Sequence, residues 1–232
     1  MPSNDLHSVP STANASAPFA LEVRDLAFSY GGFDVFRDVS FSLKAGELAF
    51  LMGENGSGKS TLLRCLAGWA DPTEGVVFLQ GAPFDTSDRR QRRKVAFVPD
   101  SPAFYDDLTA DEHLAFVRQA NRIDAGEDLS GALMERIGLA GYGDRLPSLY
   151  SRGMRMKLAL VMAFAAKPSL LLLDEPHGPL DPDAAVVLSG MVRDVLDAGT
   201  AVLISCHHDV PGLQPDKVLR LEAGSLIPVR AE

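Results

Sequence analysis

Apolar and polar positions along the chain switch between a two-residue and a helical period, and the switching outlines an α/β fold. Leu21-Glu22-Val23-Arg24-Asp25-Leu26 alternates like a strand with one wet face. Tyr30-Gly31-Gly32 marks a turn, Val35 to Leu43 returns as further strand, and the apolar Leu48-Ala49-Phe50-Leu51-Met52 follows as another. Thr61 to Trp69 predicts a helix, Asp71 to Gly75 a turn, and Val76 to Leu79 and Val95 to Val98 two more strands. The middle of the chain then changes character. Thr109 to Asn121 has helical spacing, opened by Thr109 with Glu112 three residues on, the pattern of a capping box. Leu129 to Ile137 and Arg152 to Ala166 also predict helices, and β-branched runs are few, so residues 101–160 are expected to form a helical subdomain inserted into the sheet. Ser169 to Leu173 predicts a strand, Ala184 to Asp197 a helix, and Thr200 to Ser205 a strand. Lys217 to Leu221 and Ser225 to Val229 close the chain as a hairpin. No internal repeat is visible.

One stretch carries recognisable chemistry. Gly53-Glu54-Asn55-Gly56-Ser57-Gly58-Lys59-Ser60 fits G-x-x-x-x-G-K-[ST], the phosphate-binding loop. A triphosphate can be cradled by backbone N–H groups only where side chains leave room, and Gly53, Gly56 and Gly58 supply it. Lys59 would reach the β- and γ-phosphates, the Ser60 hydroxyl would bind Mg²⁺, and the helix opening near Thr61 would aim its positive end at the phosphates. A strand leading in and a helix leading out weigh against a chance glycine-rich turn. Further on, the buried-looking Leu170-Leu171-Leu172-Leu173 ends in Asp174-Glu175. Carboxylates at the carboxyl end of a strand in an open α/β sheet lie where ligands bind. Asp174 suits the Mg²⁺ side, and Glu175 suits orienting or deprotonating an attacking water.

Composition narrows the setting. The chain has 232 residues, 46% of them hydrophobic, enough for one sizeable domain with its own core. A net charge of −9 argues against a protein that coats nucleic acid. Cys65 and Cys206 are too few for a disulfide framework and lack metal-ligand spacing, so both are expected to be small buried residues in a reduced, cytosolic setting. The longest apolar run, Leu158 to Ala166, falls short of the ~18 residues of a membrane span. Residues 1–18, rich in Ser, Ala, Asn and Pro, are expected to form a disordered tail without the features of a signal peptide. The basic run Arg89, Arg90, Arg92, Arg93 and Lys94 is expected to be a solvated helix end rather than a site for phospholipid or an acidic partner. Trp69 and the methionines of the Arg152 to Ala166 helix are expected in the core.

Taken in order, these motifs resemble the nucleotide-binding subunit of ABC transporters, from about Leu21 to Val229. Tyr30 stands where that family stacks an aromatic ring on adenine. Tyr150-Ser151-Arg152-Gly153-Met154 stands in place of its Leu-Ser-Gly-Gly-Gln signature, Gly178-Pro179-Leu180-Asp181 resembles its D-loop, and His207 matches its switch histidine, with His208 the runner-up. The signature also makes sense alone, since Ser151 before a long helix forms an anion site. The resemblance implies a P-loop ATPase core with a mixed sheet flanked by helices, an N-terminal antiparallel β subdomain and the inserted helical subdomain. It further implies two ATP molecules sandwiched between two subunits, with Ser151, Gly153 and Asp181 acting across the interface. The pair, a homodimer or a heterodimer with a second ATPase subunit, would power an integral membrane permease from the cytoplasmic face.

Asp100 stands where the family usually has Gln, which touches Mg²⁺ or the lytic water. The resemblance implies that Asp100 joins Ser60 and Asp174 on the Mg²⁺ side with a shorter, charged acceptor, while Arg152 and Met154 replace Gly and Gln. Pro99-Asp100-Ser101-Pro102 and the altered signature together resemble the ATPases of drug, antibiotic or polysaccharide exporters. The alternatives are a soluble ABC-type ATPase without a permease, of the iron–sulfur-assembly or DNA-handling kind, and a nucleotide-binding regulator that rarely turns over.

Overall fold

The computed structural model describes residues 19–208 and 210–229; the tail expected over residues 1–18 lies outside them. In chain order the elements are β1 (Leu21–Tyr30), β2 (Phe33–Leu43), β3 (Leu48–Met52), α1 (Lys59–Leu66), β4 (Glu74–Leu79), β5 (Ala82–Pro83), α2 (Arg89–Arg92) and β6 (Val95–Val98). They continue as α3 (Ala110–Asn121), α4 (Ser130–Arg136), α5 (Arg152–Ala165), β7 (Leu170–Asp174), α6 (Pro182–Asp197), β8 (Ala201–Cys206), β9 (Lys217–Glu222) and β10 (Ser225–Val229). Between β6 and β7 the described residues form helices and turns, with no strand.

Two sheets result. The antiparallel one has the order β2-β1-β4-β5 and the mixed one β10-β9-β3-β8-β7-β6, in which only β9 and β10 are antiparallel. β1 runs past the alternating stretch to Tyr30 because its register shifts on either side of Leu26, with Asp25 at a φ of 49°. The bulge resets the alternation, so that Leu26, Ala27 and Phe28 are all buried. Gly75 opposite is required, since a β-carbon there would lie 2.4 Å from the Asp25 carbonyl oxygen.

Strand alternation sorts the mixed sheet into two cores. Ala49, Leu51, Leu170, Leu172, Ala201 and Leu203 pack with Leu62, Leu63 and Leu66 of α1 and with the antiparallel sheet. Leu48, Phe50, Leu171, Leu173, Val202 and Ile204 face the other way, toward α5, α6 and the inserted helices. β7 and β8 are buried throughout, as central parallel strands must be.

Helix ends follow local chemistry. The Thr109 hydroxyl accepts the Glu112 N–H while the Glu112 carboxylate accepts the Thr109 N–H, a complete capping box. In the basic run, Arg92 donates to the Thr86 and Ser87 carbonyls and Arg93 to the Ala120 carbonyl at 2.8 Å. A cation near the last turn of α3 suits the negative end of its dipole, so this part of the run joins elements together.

Trp69 corrects the sequence expectation: it is 65% exposed. The expected helix over Thr61 to Trp69 is displaced. It begins inside the glycine-rich loop at Lys59 and ends at Leu66, so Trp69 follows the turn at Gly68 and leaves the buried stripe. It stands edge-on to Phe97, 5.0 Å between centroids. Of the α5 methionines, Met156 is fully buried and Met154 and Met162 are half-buried against the core. Cys65 and Cys206 are both buried, and burial pushes the Cys65 thiol up to about 12, far from a reactive thiolate.

Candidate functional site

Three neighbouring parallel strands, β3, β7 and β8, end side by side, with Met52 opposite Cys206 and Asp174 opposite Ser205. Their carboxyl ends therefore bring together the glycine-rich loop, Asp174-Glu175 and the Ser205 to His207 segment, the place in an open α/β sheet where ligands bind.

The loop between β3 and α1 has the room the pattern requires. A β-carbon on Gly53 would sit 2.5 Å from the Leu221 carbonyl oxygen, and one on Gly58 2.7 Å from Val35 Cγ1. Gly58 also has a φ of 102° and caps α1 without a side chain, so the cap residue offers no side-chain acceptor to the first N–H groups of α1. Ser60 and Thr61 lie in its first turn. The Ser57 hydroxyl is buried and, among the described residues, has no hydrogen-bond partner. The Lys59 ammonium is 4% exposed and donates to the carbonyls of Gly53 at 2.8 Å and Glu54 at 3.1 Å. A buried cation, an orphan hydroxyl and uncapped N–H groups form a donor set with the chemistry of a polyphosphate site.

Asp174 is 2% exposed, and its Oδ1 accepts the Ser205 hydroxyl at 2.6 Å. The same Ser205 oxygen accepts the Glu175 N–H at 2.9 Å. One hydroxyl thus orients the last residue of β7 and the first beyond it. Glu175 has a φ of 50°, a left-handed conformation uncommon outside glycine. Its Oε1 lies 2.8 Å from His207 Nε2 and 3.8 Å from Lys59 Nζ. This geometry favours His207 over His208 as the residue that meets Glu175. Ser60 and Asp174 offer oxygen donors of the kind Mg²⁺ takes when it binds mainly through phosphate.

The signature segment is built separately. Ser151 caps α5, its hydroxyl accepting the Met154 N–H at 3.2 Å. Gly153 is needed for packing, since a β-carbon there would lie 2.8 Å from the Pro179 carbonyl oxygen. Asp181 caps α6 through the Ala184 N–H and pairs with Lys157 of α5 at 2.9 Å. The hydrogen bond from Lys157, then that from Ala184, holds the Asp181 carboxyl below its ordinary range. Tyr30 is 54% exposed at the end of β1, its ring edge-on to Phe28. The hairpin it belongs to approaches the loop where Val35 meets Gly58.

The contacts of Asp100, expected on the Mg²⁺ side, are with other groups: its carboxylate pairs with Arg152 at 2.9 Å and accepts the Ser101 hydroxyl at 3.3 Å. Sequence reasoning missed that pairing, the Lys157–Asp181 contact and the role of Ser205. Only Ser205 left a signal, as a polar residue in an otherwise apolar strand beside the Asp174 strand.

The model for the ABC transporter family matches residues 36–178. The chain belongs to the ABC transporter family. What it supplies is the family's ATP-binding domain, an ATPase, on an α/β fold with a mixed sheet and an antiparallel β subdomain. It is 34% identical to a sulfate/thiosulfate import ATP-binding protein of Rhizobium meliloti, over 89% of this chain and 58% of that protein. The chain therefore spans little more than half the length of that relative. It is 32% identical to a cytochrome c biogenesis ATP-binding export protein of Idiomarina loihiensis, over 89% of this chain and 94% of that one. A solved ATP-binding subunit of an ABC transporter superposes with a TM-score of 0.85 at 30% identity, covering 91% of this chain and 90% of its own. Among the described residues no helix is long and apolar enough to cross a membrane.

Proposed function

We propose that this chain binds and hydrolyses ATP as one of two copies in a sandwich that drives a membrane permease from the cytoplasmic face. The observation carrying this reading is the Glu175–His207 contact at 2.8 Å beside the buried Lys59. It joins a candidate water-orienting carboxylate to a phosphate-binding cation at the ends of adjacent strands.

In this mechanism Lys59 and the loop N–H groups hold the β- and γ-phosphates, and Tyr30 stacks on the adenine. Glu175 orients the attacking water and accepts its proton, while His207 holds the Glu175 carboxylate in place. Ser60 and Asp174 would hold Mg²⁺, which supplies charge neutralisation on the phosphate oxygens when bound. Ser151 and Gly153 of the second copy close the site, with Asp181 beside them on the Lys157 side of α5.

An apolar cavity of about 410 Å³, lined by Trp69, Phe97, Pro99, Phe104 and Met162 among others, lies between the sheet and the inserted helices. A mostly apolar cleft with an exposed tryptophan on its wall suits a helix of the permease. For direction, Pro99-Asp100-Ser101-Pro102 and the altered signature resemble exporters, and the relatives above bear both import and export in their names. Export is the reading adopted.

The test is Glu175→Gln. With ATP and Mg²⁺ it should accumulate an ATP-bound dimer in size-exclusion chromatography, with phosphate release at least a hundredfold slower, on the order of losing one general base. Hydrolysis at the wild-type rate would refute the role given to Glu175.

A further inference from the structure

The two charged departures from the pattern this chain resembles, Asp100 and Arg152, are 52 residues apart and meet at 2.9 Å. Asp100 follows β6 on the sheet side, and Arg152 is the first residue of α5, directly after Ser151. The charge arrangement of α5 gives the contact its meaning. α3 and α6 carry acids in their first turns, Asp111 and Glu112 in one and Asp183 in the other. α5 has none, and Arg152 and Arg155 stand there instead. Cations at the positive end of a helix are misplaced unless an anion sits with them. In the structure Asp100 is that anion.

We propose that Asp100 is an internal stand-in for the phosphate that Ser151 and Arg152 meet when two copies enclose ATP. While Asp100 holds Arg152, the sheet and the inserted helices are clasped and the positive wall beside Ser151 is neutralised. When the second copy presents its ATP, the more highly charged γ-phosphate displaces Asp100, and Arg152 adds its charge to the wall. Asp100 is a positioning residue acting through Arg152, in place of the metal contact implied by the family's glutamine. Magnitude supports a switch over a brace: the side chains are 44% and 65% exposed, and exposed pairs contribute little to stability. Such a contact is cheap to break. This inference rests on the ATP sandwich proposed above.

The two roles for Asp100 predict opposite signs. In the Glu175→Gln parent, the ATP concentration giving half-maximal dimer is measured by light scattering at fixed Mg²⁺. Asp100→Asn should lower it about fivefold, the equivalent of about 1 kcal/mol. Arg152→Gln should raise it about fivefold, and the double variant should match Arg152→Gln alone, because the stand-in then has nothing to hold. Asp100→Glu should restore the parent value, and melting temperatures should stay together across the set. A higher ATP requirement in Asp100→Asn, as a lost metal ligand would give, overturns the proposal, and so does simple addition of the two single effects. If the parent itself forms no dimer with ATP, the sandwich and the stand-in fall together; a parent that dimerises while the cycle fails removes the stand-in alone.

Discussion

Glu175 sits in a backbone conformation that costs a non-glycine residue on the order of 1–3 kcal/mol, and such strain collects where geometry serves a reaction. The compensating contacts are its N–H to Ser205 and its carboxylate to His207. Two residues on, burial pushes the His177 imidazole down to about 4, and its Nε2 is buried with no partner among the described residues. The folded ring stays neutral where the unfolded one, near 6.5, takes up a proton. Its contribution to stability is therefore full above pH 6.5 and is lost as the pH falls toward 4. Melting curves of wild type and His177→Gln should differ by a constant amount above pH 6.5, with the wild type losing ground only between 6.5 and about 4. A gap that is flat across that window would show that His177 titrates normally. At this scale motif and resemblance singled out Lys59, Glu175 and His207, and the structure brings the three side chains together. The sequence could not show that Asp100 reaches Arg152 or Lys157 reaches Asp181, because those pairs form only when an inserted segment packs back on the sheet.

Elements were easier to read than their ends. Strand periods identified β6, β7 and β8 within a residue, while β1 overran its alternating stretch because a bulge resets the pattern. α1 starts inside the glycine-rich loop because Gly58 adopts the left-handed turn that launches it, and this shift is what brought Trp69 out of the core. Ser205 shows how two elements are locked at their ends, since it donates to Asp174 and accepts from the residue after it. Ser205→Ala would leave the buried Asp174 carboxylate without that donor, at a cost of about 1–3 kcal/mol in stability. It should lower kcat about tenfold or more while ATP affinity changes less than threefold, because Lys59 and the loop are untouched. Equal losses in binding and turnover would place Ser205 among the nucleotide contacts.

Over the described residues, the mixed sheet carries a separate core on each face, and the glycine-rich loop leads into α1 on one face while α5 belongs to the other. The cavity containing Trp69 and Phe104 opens where the inserted helices meet the sheet, so a partner seated there would feel any movement between them. Trp69→Glu should reduce co-purification of the chain with the permease proposed above about tenfold, as removal of an aromatic anchor does. Recovery at the wild-type level would move the contact elsewhere. That arrangement was legible as an α/β fold with a helical insert, but the cleft between the two parts depends on packing that no local pattern encodes.

β3, which feeds the glycine-rich loop, takes both of its sheet neighbours, β8 and β9, from the far end of the chain. On the ribosome it must wait for roughly 150 further residues, on the order of ten seconds or more of synthesis, before either flank can pair. A nascent chain paused before Ala201 thus presents an unzipped apolar ribbon, a natural target for chaperones, and the glycine-rich loop can settle only after β8 and β9 have been made.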